Sequence, residues 1–335
     1  MPTTKFKNID RILLISLSCI GDVILTTPVM KVLLDNFPGA ELTVVAGPTA
    51  MPILSRHEWV HASMVFENKG RHNGFKGVVR LVHELRSRKY DMVVDLRNSA
   101  IPYFMRSRYR ITSHEAHLRN KNDMTRHAVD RHLDVLDSAG IPITNREIRV
   151  TVPDFVEAKV SEFITEKRIA GPDRLIAVYP GAGSPYKLYP VEKYRAVVEA
   201  LINRGDYEFV MVGSVEDAAV CGELAGAFPA KARSIAGELD ILELGGLLKQ
   251  SRLLISNDSG PMHLGVAVGT PTLGVFGPTN ANRYGPRGKK HRIVWHREPC
   301  NPCKFPECGR ESCIGDIDPV QIVEAAQEML EKDYE

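Results

Sequence analysis

Three short stretches carry residue types suited to chemistry on a phosphorylated substrate. Ser256-Asn257-Asp258-Ser259-Gly260-Pro261-Met262-His263 runs from the end of an apolar stretch into a helical one. Small polar side chains, uncommitted backbone N–H groups and a glycine that allows close approach make such a junction an anion site. Asp258 or Ser259 could equally serve there as a plain helix cap. Gly274-Val275-Phe276-Gly277-Pro278-Thr279, an open Gly-rich turn after the next apolar run, adds weight to the phosphate reading. The second stretch is Gly181-Ala182-Gly183-Ser184-Pro185-Tyr186-Lys187-Leu188-Tyr189-Pro190. Its Lys187 could neutralise a leaving phosphate or be a solvated loop lysine. The stretch lacks both the G-x-x-x-x-G-K-[ST] pattern and the third glycine of the dinucleotide fingerprint. The third is Gly21-Asp22, where a carboxylate just past an apolar run could take the proton of an incoming hydroxyl. A helix dipole that favours an anion at that position also weakens it as a base.

These stretches need elements that bring them together. Arg11 to Leu17 is too short and too evenly apolar for a surface helix and reads as a buried parallel strand. Val23, Ile24, Thr27, Met30, Leu33, Leu34 and Phe37 then recur at helical spacing. Pro28 opens the main helical segment with Thr26 or Thr27 as cap, and Pro38-Gly39 stops it. Further strands are expected at Leu42–Gly47, Met92–Leu96, Leu175–Tyr179, Phe209–Gly213, Leu253–Ser256 and Pro271–Phe276. Strand and helix alternate throughout, so the fold class is α/β with parallel sheets, restarting after a linker at Thr151-Val152-Pro153-Asp154. The expected domains are 1–152 and 153–335. Two such domains would offer a cleft at the carboxyl ends of their strands, where open parallel sheets bind ligands.

Composition removes several classes of function. The 335 residues suit about two domains. With 44% hydrophobic and 25% charged residues the chain is neither disordered nor fibrous. A net charge of +2 names no partner. The apolar run after Lys5 and Lys7 is interrupted by serines and followed by Asp22, so it is not a secretory signal, and no run is long enough to span a bilayer. A cytosolic chain is expected. No nucleic-acid partner is expected, since Tyr103, Phe104 and Tyr109 alone interleave the basic tract and no recognised module is present.

Two features stand apart. Cys300-x2-Cys303-x4-Cys308-x4-Cys313 could hold a structural Zn or Fe, or remain a reduced loop. The tract Arg106, Arg108, Arg110, Arg119, Lys121 and Arg126 is either a solvated face or a surface for an anionic membrane. Asp316-Ile317-Asp318, the D-x-D of the chain, precedes Pro319 and a final amphipathic helix and reads as a cap.

Ser18-Cys19-Ile20-Gly21-Asp22-Val23-Ile24-Leu25-Thr26-Thr27-Pro28, Lys187-Leu188-Tyr189-Pro190, Asn257-Asp258-Ser259-Gly260-Pro261-Met262-His263 and Phe276-Gly277-Pro278-Thr279 resemble the signature blocks of glycosyltransferase family 9, the bacterial lipopolysaccharide heptosyltransferases. His127 to Gly140 resembles the helix before that family's linker, and the four-cysteine segment resembles the Cys-rich ends of some members. The resemblance implies a GT-B fold of two Rossmann-like domains, the first for the acceptor and the second for the donor. It implies inverting transfer of heptose from ADP-L-glycero-β-D-manno-heptose to the lipopolysaccharide inner core on lipid A. Asp22 would be the base and Lys187 would hold the diphosphate. Gly21, Gly181, Gly183, Ser184, Asp258, Ser259, Gly260 and His263 would line the donor site, and Glu216 or Asp217 would hold the ribose. Arg106, Arg108, Arg126 and His127 are the candidate acceptor contacts. No metal is needed for catalysis, and the enzyme would sit peripherally on the cytoplasmic face of the inner membrane. Another nucleotide sugar, a protein acceptor, or a nucleotide-sugar epimerase of the same architecture are the alternatives. A two-domain binding protein would be exported and would not need Asp22 and Lys187.

Overall fold

Ile12-Leu13-Leu14-Ile15 carries no polar side chain, and all four are buried, so both faces of this segment must be covered. That is the condition for a central parallel strand. The structure, a computed structural model, describes residues 5–16, 19–67, 69–114, 123, 125–297, 300 and 313–332. The chain divides into two compact units, Met1–Thr151 and Val152–Glu335.

The first unit runs β1 (Arg11–Ile15), α1 (Ile20–Ile24), α2 (Thr27–Asn36), β2 (Glu41–Ala46), α3 (Met51–Leu54), β3 (Ala62–Val65), α4 (Gly74–Arg86), β4 (Met92–Asp95), α5 (Ile101–Phe104), β5 (Tyr109–Thr112) and α6 (Ala128–Ser138). Among the described residues its sheet has the order β3-β2-β1-β4-β5, every pair parallel. The helical stretch expected from Val23 onward is two helices. Thr26 turns its hydroxyl back to the Val23 carbonyl at 2.7 Å and meets Ser16 Oγ at 3.0 Å, which breaks the path between them. Pro28 then stands in the first turn of α2, behind Thr26 at the cap position. Helices α4 and α5 cover one face of the sheet, where Leu81, Val82, Leu85, Ile101 and Met105 pack on Leu13, Ile15, Val45 and Val93.

The second unit runs α7 (Asp154–Glu166), β6 (Leu175–Tyr179), α8 (Val191–Ile202), β7 (Glu208–Met211), α9 (Ala218–Gly226), β8 (Ala232–Ser234), α10 (Ile241–Lys249), β9 (Leu253–Asn257), α11 (Gly260–Ala267), β10 (Thr272–Phe276), α12 (Ala281–Tyr284), β11 (His291–Trp295) and α13 (Pro319–Leu330). Its sheet, again parallel among the described residues, has the order β11-β10-β9-β6-β7-β8. The core joins Ile176, Val178, Phe209, Met211, Ile255 and Val275 to Tyr194, Val197 and Leu201 of α8 and Ile322 and Ala326 of α13. Each large apolar side chain so buried contributes about 1.5–3 kcal/mol. Asp318 caps α13 by accepting from Val320 N at 2.9 Å, and its own N–H goes to Gln321. Asp316 lies 3.7 Å from His296.

Candidate active site

Strand order reverses beside the first strand of each unit, and ligands of open parallel sheets bind where that happens. In the second unit the reversal lies between β6 and β9, so the loops after these strands are neighbours. They are the Gly181–Pro190 and Asp258–His263 stretches.

Asn257, the last residue of β9, fastens the two loops. Its side-chain amide donates to the carbonyls of Pro180 at 2.8 Å and Gly181 at 3.2 Å, and its oxygen accepts from the buried Tyr194 hydroxyl at 2.9 Å. Lys187, in the turn Pro185–Lys187, places Nζ 2.7 Å from Asp258 Oδ2. The lysine side chain is 30% exposed and the aspartate 6%. Ser256 Oγ donates to the Asn257 carbonyl at 2.8 Å and meets Ser259 Oγ at 3.1 Å. Ser259 stands at the N-cap of α11 without a side-chain cap bond, and Pro261 follows in the first turn. The first N–H groups of α11 therefore keep their capacity for an oxygen ligand. His263 is buried one turn into α11, and burial pushes its pKa down to about 4 against the pull of Asp258, with Lys187 adding to the fall. It is neutral at pH 7.

Gly181 is required by close approach. A Cβ there would stand 2.2 Å from Asp217 Oδ1 and 2.9 Å from the Tyr179 ring, whereas one on Gly183 would meet nothing within 4 Å. Asp217 is engaged inside the protein: its carboxylate accepts from Ser214 N and Oγ, each at 2.9 Å, and from the Tyr179 hydroxyl at 3.3 Å. Glu216 is exposed, and its pKa is lowered by hydrogen bonding to Ser214. Gly277, beyond β10, packs against Ile314, and its carbonyl accepts from Trp295 Nε1 at 3.1 Å.

In the first unit the reversal lies between β1 and β4. Asp22 is half-buried in the first turn of α1, beside the buried Gly21 and behind Cys19. Across the reversal, Asp95 ends β4 in register with Ile15. It is fully buried and accepts from Arg97 N at 2.8 Å, Ser99 N at 2.6 Å and Ser99 Oγ at 2.8 Å. Burial raises its pKa against those bonds and the Arg97 charge. Burial lowers the Arg97 pKa, with Asp95 opposing, and the guanidinium lies 4.6 Å over the Phe66 ring. The sequence reading did not single out Asp95 and Arg97, nor Asn257 and Tyr194 as loop fasteners. A carboxylate closing the otherwise apolar Met92-Val93-Val94-Asp95 was the available signal for the first pair.

Two of the candidate acceptor contacts lie at the sheet edge opposite Asp22. Arg106 and Arg108 precede β5, at the amino edge of a parallel sheet whose carboxyl edge carries Asp22. Arg126 grips both oxygens of Asp134. His127 is buried as the N-cap of α6, its Nδ1 accepting from Val129 N at 3.2 Å. Ser18, Arg119, Lys121, Cys303 and Cys308 lie outside the described residues. Cys300 and Cys313 are within them, and no group of three or more His, Cys, Asp or Glu placed to hold a metal occurs among the described residues. No helix among them is long and apolar enough to cross a membrane.

Two parallel-sheet Rossmann-like units form the GT-B architecture, and solved structures of that class match most of the chain. The crystal structure of the glycosyl transferase family 9 from Veillonella parvula DSM 2008 aligns with a TM-score of 0.84 at 25% identity, over 96% of this chain and 97% of that one. E. coli ADP-heptose lps heptosyltransferase II aligns at 0.74 and 23% identity, over 96% and 98%. The protein is a glycosyltransferase of GT-B fold.

Lipopolysaccharide heptosyltransferase 3 of Escherichia coli (strain K12) is 29% identical over 279 residues, 78% of this chain and 80% of that protein. Residues 78–313, more than half of the chain, match the model of glycosyltransferase family 9 (heptosyltransferase), and the chain belongs to that family.

Proposed function

We propose that the enzyme transfers heptose from ADP-L-glycero-β-D-manno-heptose to the inner core of lipopolysaccharide, by a single displacement that inverts the anomeric centre. The relatives' lipopolysaccharide heptosyltransferase activity supports the sugar and the acceptor class. The observation that carries the donor site is the arrangement at the β6/β9 reversal: Lys187 beside a helix N-terminus that no side chain caps.

The acceptor oxygen forms its bond to the anomeric carbon as the bond from that carbon to the β-phosphate oxygen breaks. The electron pair leaves with ADP, which gains one negative charge. Asp22 takes the acceptor proton. Lys187 and the first N–H groups of α11 face the diphosphate as its charge grows, which is where preorganised donors lower a barrier. Lysine has three donors, so Asp258 can keep one while the phosphate takes another. Neutral His263 is a donor or acceptor beside that anion and adds no charge. Gly181, Gly183 and Ser184 supply backbone along the donor. Glu216 takes the ribose hydroxyls, because Asp217 is committed to Ser214 and Tyr179. Lysine and helix end balance the diphosphate without a catalytic metal, and Zn or Fe at Cys300, Cys303, Cys308 and Cys313 would be structural. With its acceptor on lipid A, the enzyme works on the cytoplasmic face of the inner membrane.

The test is ADP release from ADP-heptose, with and without heptose-deficient lipopolysaccharide, by wild type and Asp22→Ala. Acceptor-dependent release that collapses in the variant is expected. Release only from another nucleotide sugar would discard the heptose. Conversion of the sugar without acceptor would replace transfer by epimerisation.

A further inference from the structure

Helix α4 has an outer face that the acceptor and donor sites do not explain. Phe75 is 79% exposed and Val79 51%, one turn apart on the same side of the helix. Lys76, Arg80 and His83 are exposed alongside them. At the far end, Arg86 donates to the Phe104 carbonyl, at 2.8 Å through Nε, and so holds α5 against α4. Tyr103 and Phe104 of α5 are 67% and 48% exposed. The inner sides of both helices share one core cluster, so the four large apolar groups belong to one outer surface. The other large apolar side chains exposed among the described residues, Phe155, Leu188, Val215, Ile293 and Val320, are spread over separate elements.

The charge of this surface is one-sided. Residues 69–89 hold Lys69, Arg71, Lys76, Arg80, Arg86, Arg88 and Lys89 against the single carboxylate of Glu84, to which Arg71 is paired at 2.6 Å. Exposed aromatic and aliphatic groups among cations are what a helix lying in a bilayer interface presents: the apolar groups enter below the headgroups and the cations meet lipid phosphates. A protein interface would bury such groups without needing this excess of one sign. The topology adds a direction. A helix that leaves β3 and returns to the amino end of β4 starts at the carboxyl edge of the sheet, so Phe75 lies at the edge that carries Asp22.

We infer that the α4–α5 face, centred on Phe75, Val79, Lys76 and Arg80, is the surface by which the enzyme lies on an anionic lipid bilayer. This rests on the proposed lipid-borne acceptor, and it places membrane contact on α4 instead of the Arg106–Arg126 tract. A bilayer met at this edge brings the acceptor's headgroup toward Asp22.

The experiment is sedimentation with vesicles of phosphatidylcholine alone or mixed with phosphatidylglycerol. Wild type is expected to sediment with the anionic vesicles and to be released by salt. Lys76→Gln with Arg80→Gln is expected to lower the partition coefficient about 30-fold, roughly fivefold per cation. Phe75→Ser is expected to lower it about tenfold or more. Lys31→Gln on α2 is expected to leave it unchanged. Phe75 makes little contact with the core, so circular dichroism should be that of wild type. Equal binding to neutral vesicles, indifference to both α4 variants, or a dimer that Phe75→Ser dissociates while neither vesicle binds would each overturn the inference. Wild type that sediments as described yet turns over no ADP-heptose would support the surface and defeat the ADP-heptose reading alone.

Discussion

Replacing Lys187 tests the donor site most directly, because its ammonium stands 2.7 Å from a carboxylate that is only 6% exposed. Lys187→Met removes a charge-assisted hydrogen bond, worth about 1.5–3 kcal/mol when fully buried. The lysine is 30% exposed and Asp258 still sits by a helix N-terminus, so a loss of about 1–2 kcal/mol of stability is expected. Turnover should fall further. ADP gains a charge as it leaves, and one preorganised donor facing such a charge is worth about 10²–10³ in kcat, or about 2.7–4 kcal/mol of barrier. KM for the donor should rise only a few fold, since the bound diphosphate is already anionic and loses one contact among several. Combining Lys187→Met with Asp258→Asn separates the two effects: the neutral pair regains most of the stability and none of the turnover. Thermal unfolding and steady-state ADP release measure both. A single variant within threefold of wild-type kcat, or a double variant that recovers turnover with stability, would refute the assignment of Lys187 to the leaving group.

Other expectations follow from the same geometry. His263 is buried and His291 half-buried, and desolvation lowers both pKa values to about 4, from an ordinary value of 6.5 that the unfolded chain regains. Above pH 6.5 neither state is protonated. As pH falls from 6.5 to 4 only the unfolded chain takes up the protons, so stability is lost over that window, by up to about 3 kcal/mol per histidine; denaturant titrations at pH 7 and 4.5 should show the loss, reduced in His263→Gln. Gly181→Ala should cost about 1–3 kcal/mol and weaken ADP binding, because its methyl displaces Asp217, while Gly183→Ala should leave the melting temperature within about a degree. In calorimetry with ADP, Glu216→Ala should weaken binding about tenfold at unchanged stability, the loss expected when ribose hydroxyls lose a charged acceptor, and Asp217→Asn should instead lower stability by loosening Ser214 and Tyr179. An unchanged ADP affinity in Glu216→Ala would move the ribose contact elsewhere.

The central strands were legible because burial on both faces leaves an unbroken apolar run, as in Leu13-Leu14-Ile15 or Leu253-Leu254-Ile255. The strands that escaped the sequence reading, β3, β5, β8 and β11, are short and mostly half-buried, and they sit on or toward sheet edges where no such run is required. It is β5 that assigns Arg106 and Arg108 to the amino edge, and its Tyr109-Arg110-Ile111-Thr112 holds no apolar run to mark it in the sequence. Asp258 and Lys187 were each readable as charge-bearing, yet their contact was not. They are 71 residues apart and meet only because β6 and β9 are neighbours. Asp217 shows the reverse limit. Beside Glu216 in sequence it is chemically equivalent, and the two are distinguished only by the glycine and tyrosine that close around one of them.

The amide of Asn257 has a bearing on how the donor site comes apart. One side chain hydrogen-bonds across 77 residues of sequence to the first loop while anchoring the second to the buried Tyr194. The strand ends of the two loops cannot part without releasing that amide, and releasing it leaves the Asn257 NH2 and the Pro180 and Gly181 carbonyls without those partners in the interior, at about 1–3 kcal/mol per group. Fraying at this site is therefore coupled to the sheet itself. Amide hydrogens next to Pro180 and Asn257 should exchange together and slowly, with an opening free energy near that of the whole unit. The floor of the donor site would then be lost only with the fold of the second unit, and bound ADP would raise that unit's unfolding temperature.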